Sequence, residues 1–494
     1  MATRFPFPPF RHSTERPRFL GGAVLAGLLV SAVLSACAPR DIAPQAQQLD
    51  PRNLEGGPSS QTSAQPPWPE PGWWRVYNDP QLDGLIVLAV EQNPSMRVAA
   101  ARVRMAGGMA EAAGAGRYPQ LDAEGRATLR HYSEETYHAA ALSGRDRWDN
   151  AALARASYTL DLWGREKATY EIGLDELAVR KVEVALARQE LETAVVRTYI
   201  KLSLQYSLLD IAHETLRQRT GMLHIARELY DAGIGSELAV RQAETPIPTS
   251  RAAIIALESD IAVTKQTLAA LTGRGPGAGA GITRPVLRLD AVPPLPQELP
   301  AELTGRRPDI AIRRLRVEAA KGGITVAKAA FYPNINLAAT FGYAGIGIGN
   351  IFSASALETG VGPAISLPLF QGGRLRGGLT AATAAYDEAV EEYNAAVILA
   401  FGAVAGKVET MNSLERRAAE EAKALRPARR AYAIASKGYR TGLTDYLNVL
   451  AAQNALLQEE ERNAGIAAER LDAYAQLMHE LGGGYVAQPE GARP

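Results

Sequence analysis

Residues Arg374 to Gly438 read RLRGGLTAATAAYDEAVEEYNAAVILAFGAVAGKVETMNSLERRAAEEAKALRPARRAYAIASKG. Apolar or small side chains recur every three or four positions: Leu375, Leu379, Ala382, Tyr386, Ala389, Val390, Tyr393, Val397, Ala400, Val404 and Val408. Glu388, Glu391, Glu392, Lys407, Glu409, Arg416 and Arg417 lie between them. This is helical periodicity, interrupted by Gly402, Gly406 and Pro427. At 1.5 Å per residue, about 64 residues reach ~95 Å, longer than a single globular domain needs. The mean hydropathy of −0.12 excludes a bundle of membrane-spanning helices.

A second run of the same kind spans Arg165 to about Tyr230, with Ile172, Leu174, Leu177, Val182, Leu186, Leu191, Val195, Tyr199, Leu202, Leu208 and Leu209. The punctuation around it also recurs. Tyr118-Pro119 returns as Tyr332-Pro333, 214 residues on. Arg165, after Leu162-Trp163-Gly164, returns 209 residues on as Arg374, after Leu369-Phe370-Gln371-Gly372-Gly373. Gly233, after Tyr230, returns as Gly442, after Tyr439, again 209 residues on. Three landmarks in one order at nearly one offset imply an internal duplication of roughly 200 residues.

The 494 residues carry 53 basic and 53 acidic side chains, so no basic field argues for nucleic acid. One cysteine excludes disulfides. Residues 37–72, rich in Pro, Ser, Gln and Gly, read as a tether or loose wrap. The first repeat is expected over 73–272. In it Asp79-Pro80 opens a helix, Asn93-Pro94 kinks or breaks it, and a later helical run over about 237–272 is kinked at Pro246 and Pro248. A linker (273–300), the second repeat (301–482) and a disordered tail (483–494) follow. Strands are expected at about 120–131, 152–163, 334–344 and 360–370, where apolar and polar residues alternate: Leu121, Ala123, Ala127 and Leu129 against Asp122, Glu124, Arg126 and Arg130 in the first. Such segments are long enough to cross a membrane as tilted strands, although a half-buried soluble sheet shows the same alternation. Four strands cannot close a barrel, and open edges are not tolerated in lipid. Membrane-spanning strands therefore require an oligomer, and a trimer supplies twelve.

The N-terminus has Arg4, Arg11, Arg16 and Arg18, then an apolar run from Phe19 to Leu34: a secretory signal over 1–36. Leu34-Ser35-Ala36-Cys37 resembles a bacterial lipobox, which implies cleavage before Cys37 and its lipidation; an ordinary signal with an incidental cysteine is the alternative. Ala38, rather than Asp, after the cysteine implies forwarding to the outer membrane. With Trp74, Asp79-Pro80-Gln81-Leu82, Arg307-Pro308-Asp309-Ile310, both Tyr-Pro sites and both glycine turns, nearly the whole chain after residue 37 resembles the TolC family, and within it the NodT/OprM-like outer-membrane efflux lipoproteins. The resemblance implies an α+β membrane channel. Three identical chains would form a twelve-stranded β-barrel, continued by a long α-helical periplasmic barrel with coiled-coil packing. It implies a passive exit duct for drugs or other small toxic molecules, served by a periplasmic adaptor and an inner-membrane transporter of the RND type. An outer-membrane channel for type I protein secretion and a non-conducting periplasmic coiled-coil scaffold are the alternatives.

By the same resemblance, Tyr230, Gly233, Tyr439 and Gly442 mark the tips where the adaptor docks. Family members place aspartates just past these turns; here those positions hold Ala239, Asn448 and Ala451. The aperture candidates are therefore Glu237, Arg241, Asp445 and Asn448. No catalytic set, cofactor or metal is expected. His213-Glu214 and His479-Glu480 lack a second histidine at helical spacing, and the glycines at 345, 347 and 349 lie between strands rather than before a helix.

Overall fold

A computed structural model describes residues 42–50, 68–137, 139–287, 303–347, 349 and 351–486. The expected signal and Cys37 lie outside the described residues. Two compact units emerge.

The first unit draws on Gly114–Thr169 and Gly322–Ala385. It holds a four-stranded antiparallel sheet in the order β1 (Gln120–Tyr132), β2 (Arg145–Leu160), β3 (Asn334–Ile346), β4 (Leu357–Ser366). The register puts Leu121 beside Ala156, Ala156 beside Ala339 and Ala339 beside Val361, so one face is apolar across all four strands. The opposite face carries Asp122, Arg155, Thr340 and Gly360 in one row. Two expected strands shift at both ends. β2 begins at Arg145 rather than 152, because Arg145-Asp146-Arg147-Trp148-Asp149-Asn150 is polar on both faces and shows no alternation although it pairs with β1. It ends at Leu160, where the Asp161 carboxylate accepts from the Lys167 backbone N–H at 2.8 Å. β4 lies over 357–366 rather than 360–370, since Pro368 has no N–H to give a ladder. Trp163, past the end of β2, stacks on Tyr332 with centroids 4.6 Å apart and donates from Nε1 to the Pro333 carbonyl at 2.7 Å. Two of the repeat's landmarks thus meet.

The second unit draws on Gln45–Ala113, Tyr170–Lys321 and residues from Tyr386 onward. Its helices are α1 (Pro80–Gln92), α2 (Pro94–Gly114), α3 (Arg165–Asp231), α4 (Glu237–Glu244), α5 (Pro246–Leu271), α6 (Pro308–Ala329), α7 (Arg374–Arg440) and α8 (Tyr446–Glu480); α2, α3, α6 and α7 begin or end in the first unit. The long helices α3 and α7 are 67 residues each. Extended Asn93 separates α1 from α2 just before Pro94. Thr245, between α4 and α5, instead keeps helical φ and ψ of −57° and −43°, so the chain does not unwind at Pro246, and Pro248 lies within α5. Pro427 lies within the unbroken α7. The larger core joins Tyr77, Leu82 and Ile86 to Val195, Tyr199 and Leu202 of α3, Leu268 of α5, Ile310 of α6, Val397 of α7 and Leu477 of α8. Asp79 organises one side of it. Its carboxylate accepts from the Gln81 N–H (2.9 Å), the Tyr199 hydroxyl (2.8 Å) and the Val286 N–H (2.8 Å). Arg307 ties α6 to the end of α8, bonding the Asp309 carboxylate through Nε and Nη2 and the Glu480 side chain and carbonyl through Nη1.

Three segments are more ordered than the sequence implies. Within the expected tether, Gln45 and Ala46 donate backbone N–H groups to Asp387 Oδ1 at 2.9 Å, and Leu49 donates to Asn394 Oδ1 at 2.8 Å. Asp387 and Asn394 stand two turns apart on α7, so residues 45–49 form a strap along that helix. In the expected linker, Thr283 bonds the Gln81 side chain and Ile282 is buried. At the start of the expected disordered tail the chain is ordered: Gly482, Gly483 and Gly484 have φ of 95°, 58° and 84° and turn the chain back, with Gly483 N–H on the Met478 carbonyl at 2.8 Å.

Candidate functional site: the paired helix turns

The turns after α3 and α7 have one backbone design. Gly233 (φ 75°) and Gly442 (φ 72°) adopt the left-handed conformation that glycine takes without a Cβ penalty. Ile234 N–H returns to the Leu229 carbonyl (3.0 Å) and Gly233 N–H to the Tyr230 carbonyl (2.9 Å). Leu443 N–H returns to Gly438 (2.9 Å) and Gly442 N–H to Tyr439 (3.0 Å). Both are Schellman closures, which satisfy the last carbonyls of each helix.

The side chains on these matched frames differ. Tyr230 is 47% exposed, whereas Tyr439 is 5% exposed and meets Tyr446 edge to face at 5.6 Å. Tyr439 and Tyr446 belong to a second core with Met222, Leu223 and Ala226 of α3, Val240 and Ala243 of α4, Ile247 of α5 and Val449 of α8. The two helical hairpins therefore share one hydrophobic seam near their turns.

The structure brings Glu237 and Arg241 together and, separately, Asp445 and Asn448. Arg241 donates to Glu237 Oε1 (3.1 Å) and to Glu244 Oε2 (3.0 Å), and Arg227 of α3 donates to Glu244 Oε1 (2.7 Å). The bond from Arg227, then that from Arg241, holds the Glu244 carboxyl below the usual carboxylate range. Glu237 and Arg241 are thus links in a neutralised chain and do not present isolated charge. After the second turn, Asn448 Nδ2 donates to Thr444 Oγ1 (2.7 Å) and to Asp445 Oδ1 (3.2 Å), while Asp445 makes no side-chain cap to its own helix. The first turn has such a cap: Ser236 Oγ accepts from the Ala239 N–H at 3.2 Å.

Sequence reading missed Arg227, Glu244 and, above all, Arg219. The Arg219 guanidinium is buried among α3, α5 and α8, donating to Ser250 Oγ (2.7 Å), the Pro246 carbonyl (3.3 Å) and Asn454 Oδ1 (3.4 Å). Burial lowers its pKa and raises that of the nearby Tyr446. Arg219 Nε and the Tyr446 hydroxyl are buried without a hydrogen-bond partner among the described residues. The missed signal was helical phase: Arg219 precedes Met222, Leu223 and Ala226 by three, four and seven positions and so shares their buried face.

The sequence matches the family described as outer membrane efflux protein over residues 85–274 and again over 299–483. It is 40% identical over 377 residues to the fusaric acid resistance protein FusA of Burkholderia cepacia, covering 75% of this chain and 71% of that protein. It is 30% identical over 493 residues to the multidrug resistance outer membrane protein MdtP of Escherichia coli (strain K12), covering 96% and 98%. Among solved structures it resembles the outer membrane protein VceC of Vibrio cholerae, with TM-score 0.79 and 32% identity over 85% of this chain and all of that one. The sheet with one apolar face, the twin long helices and these likenesses agree, and the chain belongs to the outer membrane efflux protein family, the TolC-type channels of the outer membrane.

Proposed function

We propose that three copies of this chain form a passive exit duct in the outer membrane: a twelve-stranded barrel continued by a periplasmic helical tunnel. The observation that carries this reading is the sheet itself. Its edge strands β1 and β4 have no further partner among the described residues, and its apolar face exposes Leu121 (77%), Phe341 (60%) and Val361 (90%). In lipid, unpaired edges cost several kcal/mol for each unsatisfied group, so the sheet must be closed by other copies. Ile398 and Leu399, exposed on α7, supply apolar surface for helix contacts between copies.

Cleavage after residue 36 and lipidation of Cys37 would anchor the chain, and the strap at 45–49 would receive the tether. The turns at Tyr230–Gly233 and Tyr439–Gly442 are the docking tips for a periplasmic adaptor, which couples the duct to an inner-membrane transporter of the RND type. Glu237, Arg241, Asp445 and Asn448 flank the aperture. Opening would separate the hairpins along their shared seam, biased by adaptor binding. The relative named for fusaric acid resistance makes small aromatic acids the first substrates to test. Purified protein should migrate as a heat-modifiable trimer and give conductance steps in planar bilayers. A monomer without conductance overturns the reading.

A further inference from the structure

The water-facing side of the sheet carries its charge unevenly. Near the helix-joined end, Asp122 faces Arg155 across the β1–β2 ladder, and Arg155 also bonds Glu124. Arg126 lies 3.8 Å from Glu124 and 3.6 Å from Asp149. These rungs are mixed in sign. Toward the loop end the pattern changes: Thr128 faces Asp149, Arg130 faces Arg147, and Tyr132 faces Arg145. Three arginines share a face with one aspartate, and Asp149, already beside Arg126, reaches only Arg130, at 3.9 Å. Asp146 is on the opposite face, bonded to His131 at 2.8 Å. Arg145 and Arg147 have no carboxylate at ion-pair distance among the described residues. On β3, Ile346 faces Asp149 and is uncharged; β4 does not reach this level, and its Glu358, facing Gly342, lies level with Glu124. Glu134 and Glu135 follow in the loop beyond the last rung, so the positive charge is a bounded band and not a generally basic mouth.

Like charges directly opposite each other destabilise an antiparallel pair. Arg130 is partly offset by Asp149 and by the Tyr132 ring, whose centroid lies 5.9 Å from its guanidinium. Arg147 and Arg145 gain no carboxylate among the described residues, and a local rule so incompletely compensated points to an external counter-ion. We propose that Arg130, Arg147 and Arg145 form an arginine collar at the loop end of the barrel lumen that takes small organic anions, carboxylates and sulfonates, on their way out. This rests on the trimeric-channel reading, in which the polar face lines the lumen and each collar contributes to a ring. Low-dielectric walls concentrate the field of such a ring. The exposure of its guanidinium groups keeps binding weak enough for release.

The test is side-specific block in planar bilayers, with pyrenetetrasulfonate as probe and hexaamminecobalt(III) as cationic control. The probe should block current from the loop side, and the R130Q/R147Q channel should need at least tenfold more of it. Arg147→Lys should retain block, and Arg147→Gln alone, at an exposed position, gives an intermediate effect even if the double variant assembles poorly. A conducting wild-type channel that the probe does not block, that is blocked equally in the glutamine variants, or that hexaamminecobalt(III) blocks better, overturns the collar and leaves the channel intact. Absence of any conductance steps overturns the channel reading and the collar with it.

Discussion

Arg219 of α3 donates to the hydroxyl of Ser250 of α5 at 2.7 Å, and Ser250 in turn donates to the Pro246 carbonyl at 2.9 Å. A buried cation therefore holds the first turn of α5, next to Thr245. Removing one partner of a buried charged hydrogen bond costs about 1.5–3 kcal/mol. Arg219→Ala should speed amide exchange across 237–250 far more than across α1. Unchanged exchange there would show that the Met222–Tyr446 seam alone fixes α4 and α5.

Glu244 bridges Arg227 and Arg241, and its folded pKa is lowered. A carboxyl with a lowered folded pKa contributes stability that is fully present above its unfolded value, about 4.3, and is lost as pH falls through the folded value. Exchange of α4 should accelerate as pH falls below about 4, after correction for intrinsic rates. Glu244→Gln should remove that pH dependence, and an identical profile in the variant would locate the acid response elsewhere.

Gly233→Ala and Gly442→Ala place a Cβ on left-handed backbone with no neighbour within 4 Å. The cost is conformational alone, about 1–2 kcal/mol each, and asparagine should be tolerated better. Protease nicking at the turns should rise in the alanine variants and less in the asparagine ones.

Asp79 accepts three hydrogen bonds that join α1, α3 and the segment after α5. Asp79→Ala should lower stability by about 3 kcal/mol, and Tyr199→Phe by about 1, read from unfolding in detergent with denaturant. Equal effects of the two would mean that the Tyr199 bond carries the whole contribution.

Asp387→Ala with Asn394→Ala removes the acceptors for Gln45, Ala46 and Leu49. The strap should become a protease site, while conductance stays unchanged. Resistance to cleavage would show that the packing of Ala46 and Leu49 against the core is sufficient.

The long helices were legible in the sequence almost to the residue, since their spacing is strict and glycine turns end them. Asn93-Pro94 and the Schellman glycines were legible because proline and left-handed glycine act locally. The start of β2 was not, because its polar residues occupy both faces. Nor was the strap, whose bonds join residues 45–49 to 387 and 394. Arg219 resembles Arg217 two positions earlier, yet only Arg219 is on the buried phase. Glu237 with Arg241 and Asp445 with Asn448 are bonded pairs, and Glu244, which bridges Arg241 to Arg227, gives no sequence signal of that bridge.

In the proposed barrel, the apolar face of the sheet would set a hydrophobic thickness. Leu121 to Leu129, Ile335 to Tyr343 and Leu357 to Ile365 each span eight residue steps on β1, β3 and β4. At 3.3 Å per residue and a tilt near 40°, that is ~20 Å along the bilayer normal. Such a height matches a thin bilayer and would be strained in a thicker one. Lipid matching alone would therefore bias this chain toward the outer membrane and against retention in the inner one.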